Sequence, residues 1–157
     1  MKATLDDLDA RILNLLQEDS RRAYGDIGRQ VGLSTTAVKD RIDKLRDRGV
    51  LENFSVSVSV GKAGFDVVAF ILVGIDRPAD CALFEKQVLA VPEIQECHHV
   101  AGAFNYLLKV VTRNLSSLEH LLSTRIKMPD VVSRTETTIV FSSVKSRGML
   151  DCTLALE

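Results

Sequence analysis

The apolar residues change period near residue 50, and no other feature constrains the fold as strongly. Before that point they recur at helical spacing, as Leu8, Ile12, Leu15 and Leu16, then Ile27 and Val31, then Val38, Ile42 and Leu45. Such spacing lines one face of a helix. After it, Phe54, Val56, Val58 and Val60 alternate with Ser55, Ser57 and Ser59, which is the period of a strand. A chain written in two periods is neither one helical bundle nor one β-sandwich. It is α+β, with helices first.

The first part reads as three helices. Thr4-Leu5-Asp6-Asp7 fits a capping box, with a hydroxyl at the N-cap and a carboxylate three residues on. The second helix is expected over Tyr24–Val31 and is weak, because Gly25 and Gly28 each cost roughly 1 kcal/mol against alanine. Glycines inside so short a helix imply that another helix passes close by. Gly32-Leu33-Ser34 supplies a C-cap glycine, an apolar plug and an N-cap serine. The third helix is expected over Thr35–Arg48, stopped by Gly49. Two short helices, a glycine turn and a longer helix make a helix-turn-helix, and the segment around 50–58 would be its wing or the linker leading out.

The second part alternates strand and helix. Strands are expected over Val67–Ile75, Ile94–His99, Tyr106–Val111 and Val131–Val144, with helices over Ala79–Val91 and from Leu115 to Leu122. The order is βαββαβ, the ferredoxin-like arrangement. Val67–Ile75 is apolar on both faces, so the sheet face that the helices leave open must also be covered, most simply by a second copy. The expected organisation is a winged helix-turn-helix over 1–52, a hinge strand over 53–64, a ferredoxin-like domain over 65–145 and a tail over 146–157.

Net charge is −1, which excludes a globally basic nucleic-acid glue but not a local basic face. From Ser20 to Arg48 there are eight basic and four acidic residues, a local charge of +4. That is a phosphate footprint. The exposed arc of the third helix carries Thr36, Lys39, Asp40, Asp43 and Lys44. Its N-terminal part would meet base edges, so Thr35, Thr36, Lys39 and Asp40 are the candidate readers. Arg41, Lys44, Arg46 and Arg48 would hold phosphates, with Arg21 and Ser34 at the margins. A solvated three-helix bundle would carry the same mixed charges, and Asp40 and Asp43 could pair Lys44 and Lys39 at helical spacing.

Two stretches resemble a known family. Leu5-Asp6-Asp7-Leu8-Asp9-Ala10-Arg11-Ile12-Leu13, Val31-Gly32-Leu33-Ser34, Ala37-Val38, Arg41-Ile42, Leu45 and Gly49-Val50-Leu51 resemble the helix-turn-helix of the Lrp/AsnC (leucine-responsive, feast/famine) transcriptional regulators. Ile94 to Lys109, including His98-His99-Val100-Ala101-Gly102, resembles their ligand-sensing domain. The resemblance implies a sequence-specific regulator of double-stranded DNA, dimers that commonly assemble into octamers, and a small effector, an amino acid, bound between effector domains. It implies an effector site around Val100, Ala101, Gly102, Ala103, Asn105 and Tyr106. For the effector ammonium, main-chain carbonyls, Thr135, Thr137 or Glu136 from another strand would have to compensate for the carboxylates the loop lacks. The family's usual Gly-Asp-x-Asp-Tyr is here Gly102-Ala103-Phe104-Asn105-Tyr106, without either carboxylate. The second helix starts at Ala23 where Ser or Thr is usual.

Enzyme and metal readings find little. His98 and His99 are adjacent on a strand and point to opposite faces, and His120 stands alone. No HExxH, P-loop or Ser-His-Asp order is present, so no cofactor or metal is expected. Sirohaem decarboxylases share both domains of this family and are the enzyme alternative. Cys81, Cys97 and Cys152 form no CxxC pair, which suits reduced thiols. The charged N-terminal residues and the short apolar runs lead to the expectation of a cytoplasmic protein without a membrane segment.

Overall fold

The structure, a computed structural model, describes residues 5–146 and 148–156. The chain divides into two compact units, one of residues 1–57 and 145–157 and the other of residues 58–144.

In the first unit, α1 spans Asp7–Glu18, α2 spans Tyr24–Val31 and α3 spans Thr35–Asp47. Asp6 caps α1, its side chain accepting from the Asp9 backbone N–H at 2.7 Å. The expected Thr4 cap lies outside the described residues. The α2 start has no side-chain cap, in keeping with Ala23. Ile12, Leu16, Ile27, Val31, Val38 and Ile42 form the core between the three helices. A full burial of this kind contributes about 1.5–3 kcal/mol per large aliphatic side chain before entropy.

The expected approach of another helix is met at Gly25, where a Cβ would lie 3.5 Å from the Thr35 hydroxyl of α3, but not at Gly28, where the neighbour is the turn itself. A Cβ there would lie 2.4 Å from the Leu33 carbonyl oxygen. That carbonyl belongs to the residue whose N–H donates to Gly28 O at 2.9 Å, so the turn folds back tightly on α2. Gly32 adopts φ 76°, the left-handed conformation that suits a glycine C-cap.

The reading of α1 as having one buried face needs correction. Ala10 and Leu13, beside the predicted stripe, are buried too and pack with Leu45 and Cys152. Cys152 comes from the tail, which is not a separate appendage but part of the helical unit. Asn14 accepts from the Cys152 N–H at 3.0 Å, and the Gln17 amide exchanges two 2.8 Å hydrogen bonds with the Leu150 backbone. The tail was illegible because a short turn with one buried cysteine has no period to detect.

The alternating segment after residue 50 forms no ladder among the described residues. A strand needs a partner edge, and Phe54, Val56, Val58 and Val60 are left exposed.

The second unit contains β1 (Val67–Gly74), α4 (Cys81–Leu89), β2 (Ile94–His99), β3 (Tyr106–Thr112), α5 (Leu115–Leu121) and β4 (Arg134–Ile139). The sheet order β2-β3-β1-β4 with antiparallel pairs is the ferredoxin-like arrangement. A 3₁₀ turn at Pro78–Asp80 precedes α4, and α5 runs on into a π-helical turn. The last strand is shorter than the expected Val131–Val144, because β1 offers partners only for Arg134–Ile139. Val67, Ala69, Ile71 and Val73 are buried under the helices with Phe84, Val88, Leu108 and Val110. The other face carries Val68, Phe70 and Leu72, with Phe70 exposed at 37%.

Candidate functional site

Two places gather the expected site residues, one in each unit. In the helical unit, Ser34 caps α3, its hydroxyl accepting from the Ala37 N–H at 3.2 Å. The Val38, Ile42, Leu45 stripe anchors α3 in the core, leaving Thr35, Thr36, Lys39, Asp40 and Lys44 exposed along its outer arc.

The charges on this surface sort into two groups. Arg22 pairs with Glu18 at 2.9 Å, Arg29 pairs with Asp26, and Arg46 lies 3.9 Å from Asp43. Arg41 donates to Asp6 at 2.7 Å and to Asp9 at 2.6 Å, and Arg48 lies 3.7 Å from Asp9. Among the described residues, Arg21, Lys39, Lys44 and Asp40 have no ion pair. The Asp40–Lys44 and Asp43–Lys39 pairs that helical spacing allowed are not made.

The position of Arg41 follows from burial. Asp9 is 6% exposed on α1, and a buried carboxylate needs a charged donor. The hydrogen bonds that Arg41 donates to Asp6 and Asp9 hold the pKa of its guanidinium above the ordinary value. The Asp6 carboxyl is held below the usual range, first by the Asp9 N–H and then by Arg41. Arg41 therefore joins α3 to α1. Nothing in its spacing on α3 could have shown this, because both partners lie on another helix.

In the sheet unit the loop from Val100 to Asn105 joins β2 to β3. Its ends are tied down, with Val100 N–H donating to Asn105 O at 2.8 Å and Asn105 N–H to Val73 O at 2.9 Å. The Asn105 side-chain oxygen accepts from the Ile75 N–H at 2.7 Å. Asn105 thus serves as a clamp between the loop and the end of β1. Tyr106 is buried, stacked on His99 with the Phe84 ring tilted against it, and donates its hydroxyl to Glu85 at 2.7 Å. Burial and the Glu85 carboxylate push its phenol well above the ordinary tyrosine value. Thr135 and Thr137 pair with Val73 and Ile71, on the helix side of the sheet.

The loop has neighbours that the sequence did not indicate. Arg134 of β4 crosses over Gly74, where a Cβ would meet its Cγ at 2.7 Å. It donates to the Ala103 carbonyl, and its guanidinium carbon stands 4.7 Å from the centre of the Phe104 ring. A glycine opposite an arginine across two strands is a signal only once the β1–β4 register is known. Gly102 at φ 151° turns the loop. Among the described residues, the backbone N–H groups of Ala101, Gly102, Ala103 and Phe104 have no acceptor. His98 and His99 pair with Leu107 and Tyr106 and so lie on opposite faces, as expected.

These features have close counterparts. Residues 5–46 match the AsnC-type helix-turn-helix domain and residues 68–150 the Lrp/AsnC ligand binding domain. The chain is 37% identical to the proline dehydrogenase transcriptional activator of Rhizobium radiobacter, over 92% of its own length and 94% of that protein. It is 30% identical to the regulatory protein AsnC of Haemophilus influenzae, covering 86% and 90% of the two chains. Among solved structures, Escherichia coli AsnC superposes with a TM-score of 0.88 at 27% identity, over 94% of this chain and 99% of that one. The transcriptional regulator NMB0573 of Neisseria meningitidis, in complex with L-Met, superposes with a TM-score of 0.88 at 25% identity, over 94% and 96%.

Proposed function

Because this chain belongs to the Lrp/AsnC family of transcriptional regulators, we propose that α3 reads a DNA duplex and that the loop Val100–Asn105 receives a small amino acid which alters that binding. The observation that carries the first half is the charge sorting on the helical unit. Six arginines are engaged by carboxylates, while Lys39, Lys44 and Arg21 stay available to phosphates. Thr35, Thr36, Lys39 and Asp40 on the first turns of α3 are the readers, and Asp40 can accept from a cytosine amino group. Arg48 and the capped start of α3 at Ser34 lie at the margins of the same surface. Arg41 acts on the fold of the reader more than on the duplex.

In the sheet unit, the N–H groups around Gly102 receive the effector carboxylate, since glycine lets a ligand approach the backbone closely. Asn105 and Tyr106 shape the loop, and Val100 closes its base. Thr135 and Thr137, on the other side of the sheet from Arg134, are weaker candidates for direct contact.

The working species is a homodimer. Val68, Phe70 and Leu72 on the uncovered sheet face, and the exposed alternating segment from Phe54 to Val60, support it, and a second copy satisfies both. Octamers rest on family membership alone. The relatives are regulators, and the protein is read as a regulator in place of a sirohaem decarboxylase.

The test is a gel shift and footprint on the DNA upstream of its own gene, with amino acids titrated in, beside an absorption spectrum of the purified protein. A protected pair of half-sites on one face of the duplex, modulated by an amino acid, is expected. Failure to bind DNA together with tight tetrapyrrole binding would overturn the reading.

A further inference from the structure

Arg134 stands beside the loop as a cation without a carboxylate. Its side chain lies along Gly74, is steadied on the Phe104 ring and spends one N–H on the Ala103 carbonyl. A guanidinium has five N–H donors, so most of the fork remains to be used. The residue is exposed, and among the described residues no acidic group pairs with it. From Val100 to Tyr106 there is no charged side chain at all. Next to the guanidinium run the four backbone N–H groups from Ala101 to Phe104 that lack acceptors. Two kinds of anion donor, one rigid and planar and one made of main chain, thus share one rim. Glu136 follows Arg134 on the same face of β4, opposite Leu72, about 7 Å along the strand.

We infer that this loop selects an effector with two carboxylates, a dicarboxylic amino acid, with Arg134 as the residue that sets the preference. The inference rests on the effector reading above. The loop N–H groups take the α-carboxylate and Arg134 takes the side-chain carboxylate through its planar fork, a geometry that an amide cannot match. Glu136 is the acid in reach for the ammonium. The missing carboxylates at 103 and 105 fit the same logic, since an acid at 103 would pair with Arg134 and neutralise it.

Calorimetry on the full chain with two isosteric pairs tests this, L-glutamate against L-glutamine and L-aspartate against L-asparagine. The acid of at least one pair is expected to bind about tenfold or more tightly than its amide. Arg134→Gln should bring that ratio to about one while DNA binding without effector stays unchanged. Ala103→Asp should lower it as well, without removing any native side-chain contact of Arg134. A ratio of one or less in the unmodified protein, with amides or other neutral amino acids binding, overturns this inference and leaves the effector reading standing. Absence of binding by every amino acid tried overturns both.

Discussion

The Arg41 guanidinium of α3 lies 2.6 Å from the Asp9 carboxylate of α1, and Asp9 is buried. The proposed reader helix α3 is thereby fixed to α1. Arg41→Ala leaves an under-paired buried acid and is expected to destabilise the helical unit by about 1–3 kcal/mol. Lys44→Ala should leave stability unchanged, weaken binding to all sequences alike and lower the salt slope by about one. Denaturation followed by helical circular dichroism, with binding isotherms at several salt concentrations, separates the two. Equal loss of stability in both variants would contradict the assignment.

Asp40 is exposed and without an ion pair among the described residues, on α3 between Lys39 and Lys44, and its carboxylate would repel a DNA phosphate. If it reads a base, Asp40→Ala changes which sites are preferred, by about 1–3 kcal/mol at one position. Selection of binding sites from a random pool, for both proteins, measures this. Uniform tightening across all sites would mean that Asp40 is only a repulsive charge.

The N-cap of α1 should titrate. Asp6 uses both oxygens, one for the Asp9 N–H and one for Arg41, and its carboxyl is held low in the folded state. The unfolded chain takes this proton at higher pH than the folded one. The contribution is therefore whole above about pH 4–5 and drains away as pH falls through the folded value. Asp6 is half exposed, so the loss is about 1 kcal/mol or less. Asp6→Asn keeps a capping side chain and should flatten this part of the profile. Thermal melts across the acid range show whether the two proteins converge at low pH.

Gln17 holds the tail through two hydrogen bonds to Leu150. Gln17→Ala is expected to cost about 1–2 kcal/mol and to speed exchange of the Cys152 amide. An unchanged exchange rate would show that Asn14 and the buried Cys152 keep the tail in place without Gln17.

What could be read in advance was what has a period. The boundaries of α2 and β2 follow from spacing and from the residues that end them, Gly32 after one and the loop at Val100 after the other. The β4 boundaries could not be read, because apolar pattern says where a strand is possible and only the partner says where it pairs. The same limit hid the Arg134–Phe104 contact, which joins residues 30 positions apart through the register of β1 with β4. The Arg41 pairing was hidden more deeply. Its spacing suggested a phosphate ligand, and only the burial of Asp9 on another helix shows that it also joins α3 to α1.

The tail gives the chain an unusual circuit. Residues 58–144 are an insertion within the residues that make the helical unit, entered near residue 57 and left near residue 145. The inserted unit thus hangs on two tethers. A protease that nicks only one of them would leave the fragments joined through the other, so limited digestion would show a cut chain on a denaturing gel and an intact particle in solution. A tether broken on the tail side would also leave the Leu150–Cys152 segment as a clipped peptide, held on α1 by hydrogen bonds to Asn14 and Gln17 and by the Cys152 side chain in its socket.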